Sequence, residues 1–134
     1  MIPSGSTILT TNLNVVTQPS KQHRMFFDRN RISGICDGLE AVTQAVYKIL
    51  NIERYTYLIY SWNYGIELMD LFGKAPAFVC PELERRVKEA LLQDDRITGV
   101  DNFDFDTSKK GVIAATFTVH TIFGDLNERM AVNV

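Results

Sequence analysis

The sequence lacks several things that would point to particular chemistries. It has no excess of basic charge: 14 Lys and Arg stand against 16 Asp and Glu, a formal net charge of −2. That argues against a nucleic-acid partner, which calls for a basic patch or stripe. Cysteine is scarce, with only Cys36 and Cys80, far apart and in no CxxC or metal-ligand spacing. Buried free thiols in a reducing compartment are the expectation. There are two histidines, His23 and His120, neither of which has a second ligand at metal spacing. No apolar run approaches the roughly 18 residues of a membrane span. The first residues, MIPSGSTILTTNLNVV, have neither a basic start nor a continuous apolar stretch, so no secretory signal is expected. GxSxG, P-loop, GxGxxG and HExxH patterns are absent. No cofactor and no metal are expected.

What is present suits one soluble domain. The chain has 134 residues, 46% hydrophobic and 22% charged. That length can bury a sizeable core without disulfide or metal staples. Residues 1–22 are rich in Ser, Thr, Asn and Gln and read as an extended N-terminal arm, with residues 23–134 as a single domain. In HRMFFDRNRISG, Asp28-Arg29-Asn30 reads as the turn of a hairpin. Asp37 and Glu40 form a capping-box pattern ahead of a helix that runs to about Leu50 or Asn51. Its predicted buried stripe is Leu39, Val42, Ala45, Val46, Ile49 and Leu50. YTYLIY (55–60) is β-branched and aromatic, and so reads as extended. Gly65 supplies a turn, and Leu68, Leu71 and Phe72 form a short helical turn closed by Gly73. A second helix is predicted from Pro81, with Leu83, Val87, Ala90 and Leu91 buried. Glu82–Arg86 and Glu84–Lys88 are i,i+4 pairs on its solvated or interacting face. Strands are predicted at about 97–106 and 112–123, with a last edge strand at 129–134. The blocks imply an α+β fold: two main helices packed on a small, mostly antiparallel sheet, with the arm extended.

The most suggestive stretch is NIERYTYLIYSWNYGIELMDLFGK (51–74), with the adjacent pair Glu53-Arg54, four tyrosines and the only tryptophan. Glu53 and Arg54 could form internal or surface ion pairs, or they could contact a neighbouring subunit. Tyr55, Trp62 and Tyr64 around Gly65 could pack a joint or supply an interface, since Tyr and Trp combine apolar area with a polar tip. A two-carboxylate glycan hydrolase would draw on Glu53, Glu67, Asp70, Asp94 or Asp95. Nothing in the pattern marks an apolar pocket that would raise one of these pKa values and not another.

Three segments carry a resemblance: DGLEAVTQAVYKILNIERYTYLIYSWNYGIELMDLFGK (37–74), PELERRVKEALLQDDRITGVDNFDF (81–105) and FTVHTIFGD (117–125). In that order they resemble the baseplate wedge, or sheath-initiator, proteins of contractile tails, the gene-25-like family, and in particular its XkdS-like branch. The family carries a Glu-Pro-Arg or Gly-Glu-Arg signature, then Phe/Tyr-Gly, then a Leu-rich turn. Glu53-Arg54, Tyr64-Gly65 and Leu68–Phe72 occupy those places, while Asn51-Ile52 replaces the usual Pro-Gly. The resemblance implies a non-enzymatic virion or phage-tail-like baseplate part, assembled in the bacterial cytoplasm and present in six copies. Its implied partners are the wedge core bundle, which the signature loop contacts, the tail sheath protein, which the small sheet templates by strand exchange, and possibly tube or hub proteins. Neither nucleic acid nor membrane is implied.

Overall fold

The computed structural model describes residues 19–134. Most of the arm predicted at 1–22 lies outside the described residues, and Gln22 already belongs to a strand.

An antiparallel hairpin comes first: β1 (Gln22–Phe26) and β2 (Arg31–Cys36), with Asn30 at a φ of 48° in the turn. It forms its own two-stranded sheet and rests on α1 (Gly38–Asn51). Gln44 secures it. The buried Gln44 carboxamide accepts from Met25 N (2.9 Å) and donates to the His23 carbonyl (2.6 Å). Both halves of a buried amide are thereby satisfied, which is what makes a polar residue tolerable there.

Asp37 caps α1 by accepting from Gly38 N at 2.7 Å. The predicted capping box does not close. Glu40 instead accepts from Arg24 of β1 at 3.1 Å, an opposite charge that outcompetes the local amide. The buried stripe matches expectation except that Leu39 is partly exposed and Ala41 is buried.

The second helix, α2, spans Pro76–Leu91, so its start lies earlier than the predicted Pro81. Pro76 takes the first helical position, where a missing N–H is harmless. Pro81 lies inside the helix, where it denies the Ala77 carbonyl its usual donor.

Three long strands follow: β3 (Ile97–Asp106), β4 (Val112–Thr121) and β5 (Gly124–Asn133), antiparallel and in that spatial order. Period-two alternation on β4 puts Ile113, Ala115, Phe117 and Val119 into the core, as predicted. The last strand begins earlier than expected, because Gly124 follows the tight turn directly and pairing with β4 starts at once. Val42, Val46, Ile49, Leu83, Val87 and Leu91 of the helices meet Val100, Phe117, Val119 and Val132 of the sheet in one core cluster. The fold is therefore α+β with two antiparallel sheets. Among the described residues no helix is long and apolar enough to cross a membrane.

Candidate functional site

Residues 52–66 leave this core and return to it as a compact loop with adjoining ends. Two backbone bonds close its base: Ile66 N donates to Ile52 O (2.9 Å) and Arg54 N to Ile66 O (3.1 Å). They create an isolated parallel bridge between Glu53 and Ile66. Gly65 makes the closure possible. Its φ is +93°, and a Cβ there would lie 2.4 Å from the Ile52 carbonyl oxygen.

The Glu53 carboxylate accepts from the amides of Leu68 (3.0 Å) and Met69 (3.3 Å). Those amides begin the short 3-10 helix Met69–Leu71, whose first N–H groups have no internal partner. An acid from across the loop base thus does the work of an N-cap. Gly73, at a φ of +76°, follows that helix as predicted.

The Arg54 side chain is only 10% exposed. Its guanidinium donates to Glu89 of α2 at 3.1 Å and to the Gly65 carbonyl at 3.2 Å, with Glu67 at 3.7 Å. A second arginine, Arg86 of α2, donates to the Glu67 carbonyl (2.8 Å) and to Asp70 (2.8 Å), and also to Glu82 (2.9 Å). These contacts, hydrogen bonds to Asp70 first, hold Arg86 firmly charged. Arg86 in turn lowers the pKa of Asp70. Hydrogen bonds from Arg85 and Arg86 bring Glu82 down to about 2. The α2 face that read as solvated or interacting thus carries Arg86 and Glu89 against Arg54, Glu67 and Asp70, while Glu84 and Lys88 pair with each other.

The six residues singled out from the sequence divide into two groups. Glu53, Arg54 and Gly65 build the base. Tyr64 joins them, half-buried against the core and stacked on Tyr60 at 4.4 Å between ring centroids. Burial, with Tyr60 and Asp94 adding to it, raises the Tyr64 pKa. Tyr55 and Trp62 belong instead to the tip, where they meet edge-on at 6.2 Å. Trp62 is 82% exposed, and Tyr57, Leu58 and Ile59 beside it are exposed as well. YTYLIY is not a strand. It runs through consecutive turns, closed by bonds such as Tyr60 N to Tyr57 O (3.3 Å), and among the described residues no neighbouring strand pairs with it. Sequence reasoning missed Leu58, Ile59, Arg86 and Glu89. Only the apolar run LIY within an otherwise polar loop could have flagged the first two.

Of the other candidate carboxylates, Asp94, Glu67 and Asp70 are engaged, whereas Asp95 has no ion pair among the described residues. Asp94 pairs with Arg96 at 2.6 Å, and although burial pushes its pKa up, the Arg96 hydrogen bonds bring it below the usual value. Glu67 faces Arg54 and Asp70 faces Arg86. His23 is exposed. His120 lies between Asp125 (2.8 Å) and Asp101 (2.9 Å), whose hydrogen bonds, Asp125 first, raise its pKa. Among the described residues no group of His, Cys, Asp and Glu is placed to hold a metal ion. Cys36 is buried and Cys80 half-buried, both as free thiols, and burial raises the Cys80 pKa.

With this geometry in place, the comparisons with known proteins become informative. The family model for the contractile injection system sheath initiator matches residues 7–124. The phage-like element PBSX protein XkdS of Bacillus subtilis (strain 168) is 39% identical over 116 residues, covering 83% of this chain and 81% of that protein.

Proposed function

The chain belongs to the contractile injection system sheath initiators, and we propose that it acts in such a machine as a baseplate wedge subunit. In this reading the loop 52–66 docks on the core bundle of the wedge, and the β3–β4–β5 sheet templates the first sheath ring by strand exchange. Residues 23–134 act as one domain, six copies enter each particle, and tube or hub proteins lie nearby. Glu53, Arg54, Tyr64 and Gly65 serve docking by holding the loop in shape; Tyr55 and Trp62 make the contact.

The observation that carries this reading is the contrast between a fixed base and an apolar tip left in solvent. Five large side chains, Tyr55, Tyr57, Leu58, Ile59 and Trp62, are exposed on one loop. Burying side chains of that size contributes about 1.5–3 kcal/mol each, and a contiguous patch of this kind marks an interaction site. A glycan hydrolase would need an acid with a raised pKa beside a second carboxylate. Asp70 and Asp94 are shifted downward. Glu128 is raised and borders one groove with Glu53, but the Glu53 carboxylate is taken up by the Leu68 and Met69 amides and is not free to act as the second acid. The structural reading has the better support.

The test is a tip variant, Leu58→Asp with Trp62→Ala, in the particle-producing host. The expected outcome is a folded protein that fails to enter baseplates, with unsheathed tubes seen by electron microscopy. Normal sheathed particles would refute docking through the tip.

A further inference from the structure

We infer that β5 receives an extended partner segment carrying a lysine or arginine, and that Glu128 is the residue that selects it. The inference rests on the strand-exchange reading above and adds to it the edge, the register and the chemistry of the incoming strand.

The sheet has two outer strands, and they differ. Pairing of β3 with β4 slips between Ile97 and Gly99 and again between Asp101 and Asp104, with Asn102 at a φ of 54°. Bulges of this kind, with acidic Asp101, Asp104 and Asp106 along the strand, discourage further pairing. β5 pairs with β4 through ten successive positions without a slip. Its outer side has no strand partner among the described residues.

The register fixes which groups that outer side offers. Val134 N donates to Gly111 O at 2.9 Å, which makes their pairing a hydrogen-bonded one. Hydrogen-bonded pairs recur every second residue in an antiparallel ladder. Counting back from Val134, residues 126, 128, 130 and 132 turn their backbone groups toward β4. Asn127, Arg129 and Ala131 turn theirs toward the free edge.

Side-chain direction then isolates Glu128. It lies opposite Phe117, on the face that carries Val132 and the helices. A carboxylate at a core-side position ordinarily has a partner. Glu128 makes no hydrogen bond or ion pair with any described residue, and burial raises its pKa. It opens on a groove of about 410 Å³ alongside the strand, where Tyr47, Leu50 and Ile66 face Glu128, Met130 and Ala131. Two other charged residues border this groove. Glu53 has its carboxylate occupied by the Leu68 and Met69 amides. Arg129 projects from the opposite face of β5 by strand alternation. The unmet charge on the groove side is therefore negative. A strand added to β5 directs alternate side chains into the groove, and a cation within cross-strand reach of Glu128 completes the site.

The experiment measures binding of purified sheath protein from the same particle to full-length chain. It compares wild type with Glu128→Gln, Glu128→Lys and Ala131→Pro, each first checked for folding by circular dichroism and melting. Glu128→Gln keeps the shape and removes only a poorly solvated charge, so it folds. Ala131→Pro removes an edge donor that β4 does not use. The assignment expects binding weaker by about tenfold in Glu128→Gln and by about a hundredfold or more in Glu128→Lys, with binding lost in Ala131→Pro. It also expects a lysine- or arginine-to-glutamate change in the sheath protein that restores binding to Glu128→Lys. If both Glu128 variants bind as well as wild type, or better, while Ala131→Pro does not, strand addition stands and the role of Glu128 is overturned. Better binding would mark Glu128 as a guard against unwanted pairing. If Ala131→Pro also binds normally, or wild type does not bind, the strand-exchange reading falls as well.

Discussion

The base and the tip of the loop 52–66 come from one short stretch of similar composition, yet they are built on opposite terms. At the base both charged side chains find intramolecular partners, Glu53 the Leu68 and Met69 amides and Arg54 the Gly65 carbonyl and Glu89, with only the buried Arg54 Nε left without one among the described residues. At the tip, apolar side chains stay in water and make mostly local ring contacts. The base contributes to folding, and the tip leaves apolar area in water. In the proposed docking, the charged residues would not touch the partner but would set the angle at which the aromatic residues meet it.

Breaking the base should cost most. Gly65→Ala forces a Cβ against the Ile52 carbonyl in a backbone conformation that alanine resists. A loss of about 3 kcal/mol is expected, read as a fall in Tm of roughly 10 °C. A variant that melts like wild type would show that the loop can close another way. Glu53→Gln keeps the shape but weakens the charge-assisted bonds to two amides, for an expected loss of about 1–2 kcal/mol. Faster hydrogen exchange confined to Leu68 and Met69 would be its signature.

Acid should distinguish the two regions more gently. Asp70 and Glu82 have lowered pKa values, Glu82 about 2 against a reference of 4.5. Their contribution is full above the unfolded value and is lost as pH falls through the folded one. Pepsin cleavage at the tip aromatics should therefore accelerate between about pH 4.5 and 2 and not above. Cleavage (corrected for the enzyme's own pH profile) that is flat across that range would exclude the ionic base as the restraint. The smallest effect on stability belongs to Trp62→Ala, within about 0.5 kcal/mol, because so little of the ring is buried. A larger loss would mean that the tip helps to fold the loop.

Much of this fold can be read from the chain, in particular places. Helix α1 and strand β4 carry strong periodicity, and their buried residues follow it. Misreadings arose where two local signals competed. Pro76 and Pro81 both resemble helix starts, and only the structure shows α2 beginning at the first. YTYLIY has strand composition, but a strand also requires a neighbour, which composition cannot report. Glu40 fits a capping box until Arg24 arrives from another element. Likewise Glu128 looks like an ordinary surface acid until the register with β4 turns it to the core side. Glu53-Arg54 was visible as a pair; that its two members face different partners was not.

One more consequence follows from the unequal outer strands. Growth by strand addition needs a free edge, and a subunit with two would extend an array on either side. Among the described residues, β3 is kinked and acidic while β5 pairs without a slip and has no strand on its outer side. If sheath strands add to β5 as proposed, such a molecule corresponds to a terminated monomer in polymer chemistry: it would start a chain and give it polarity without being incorporated in the middle.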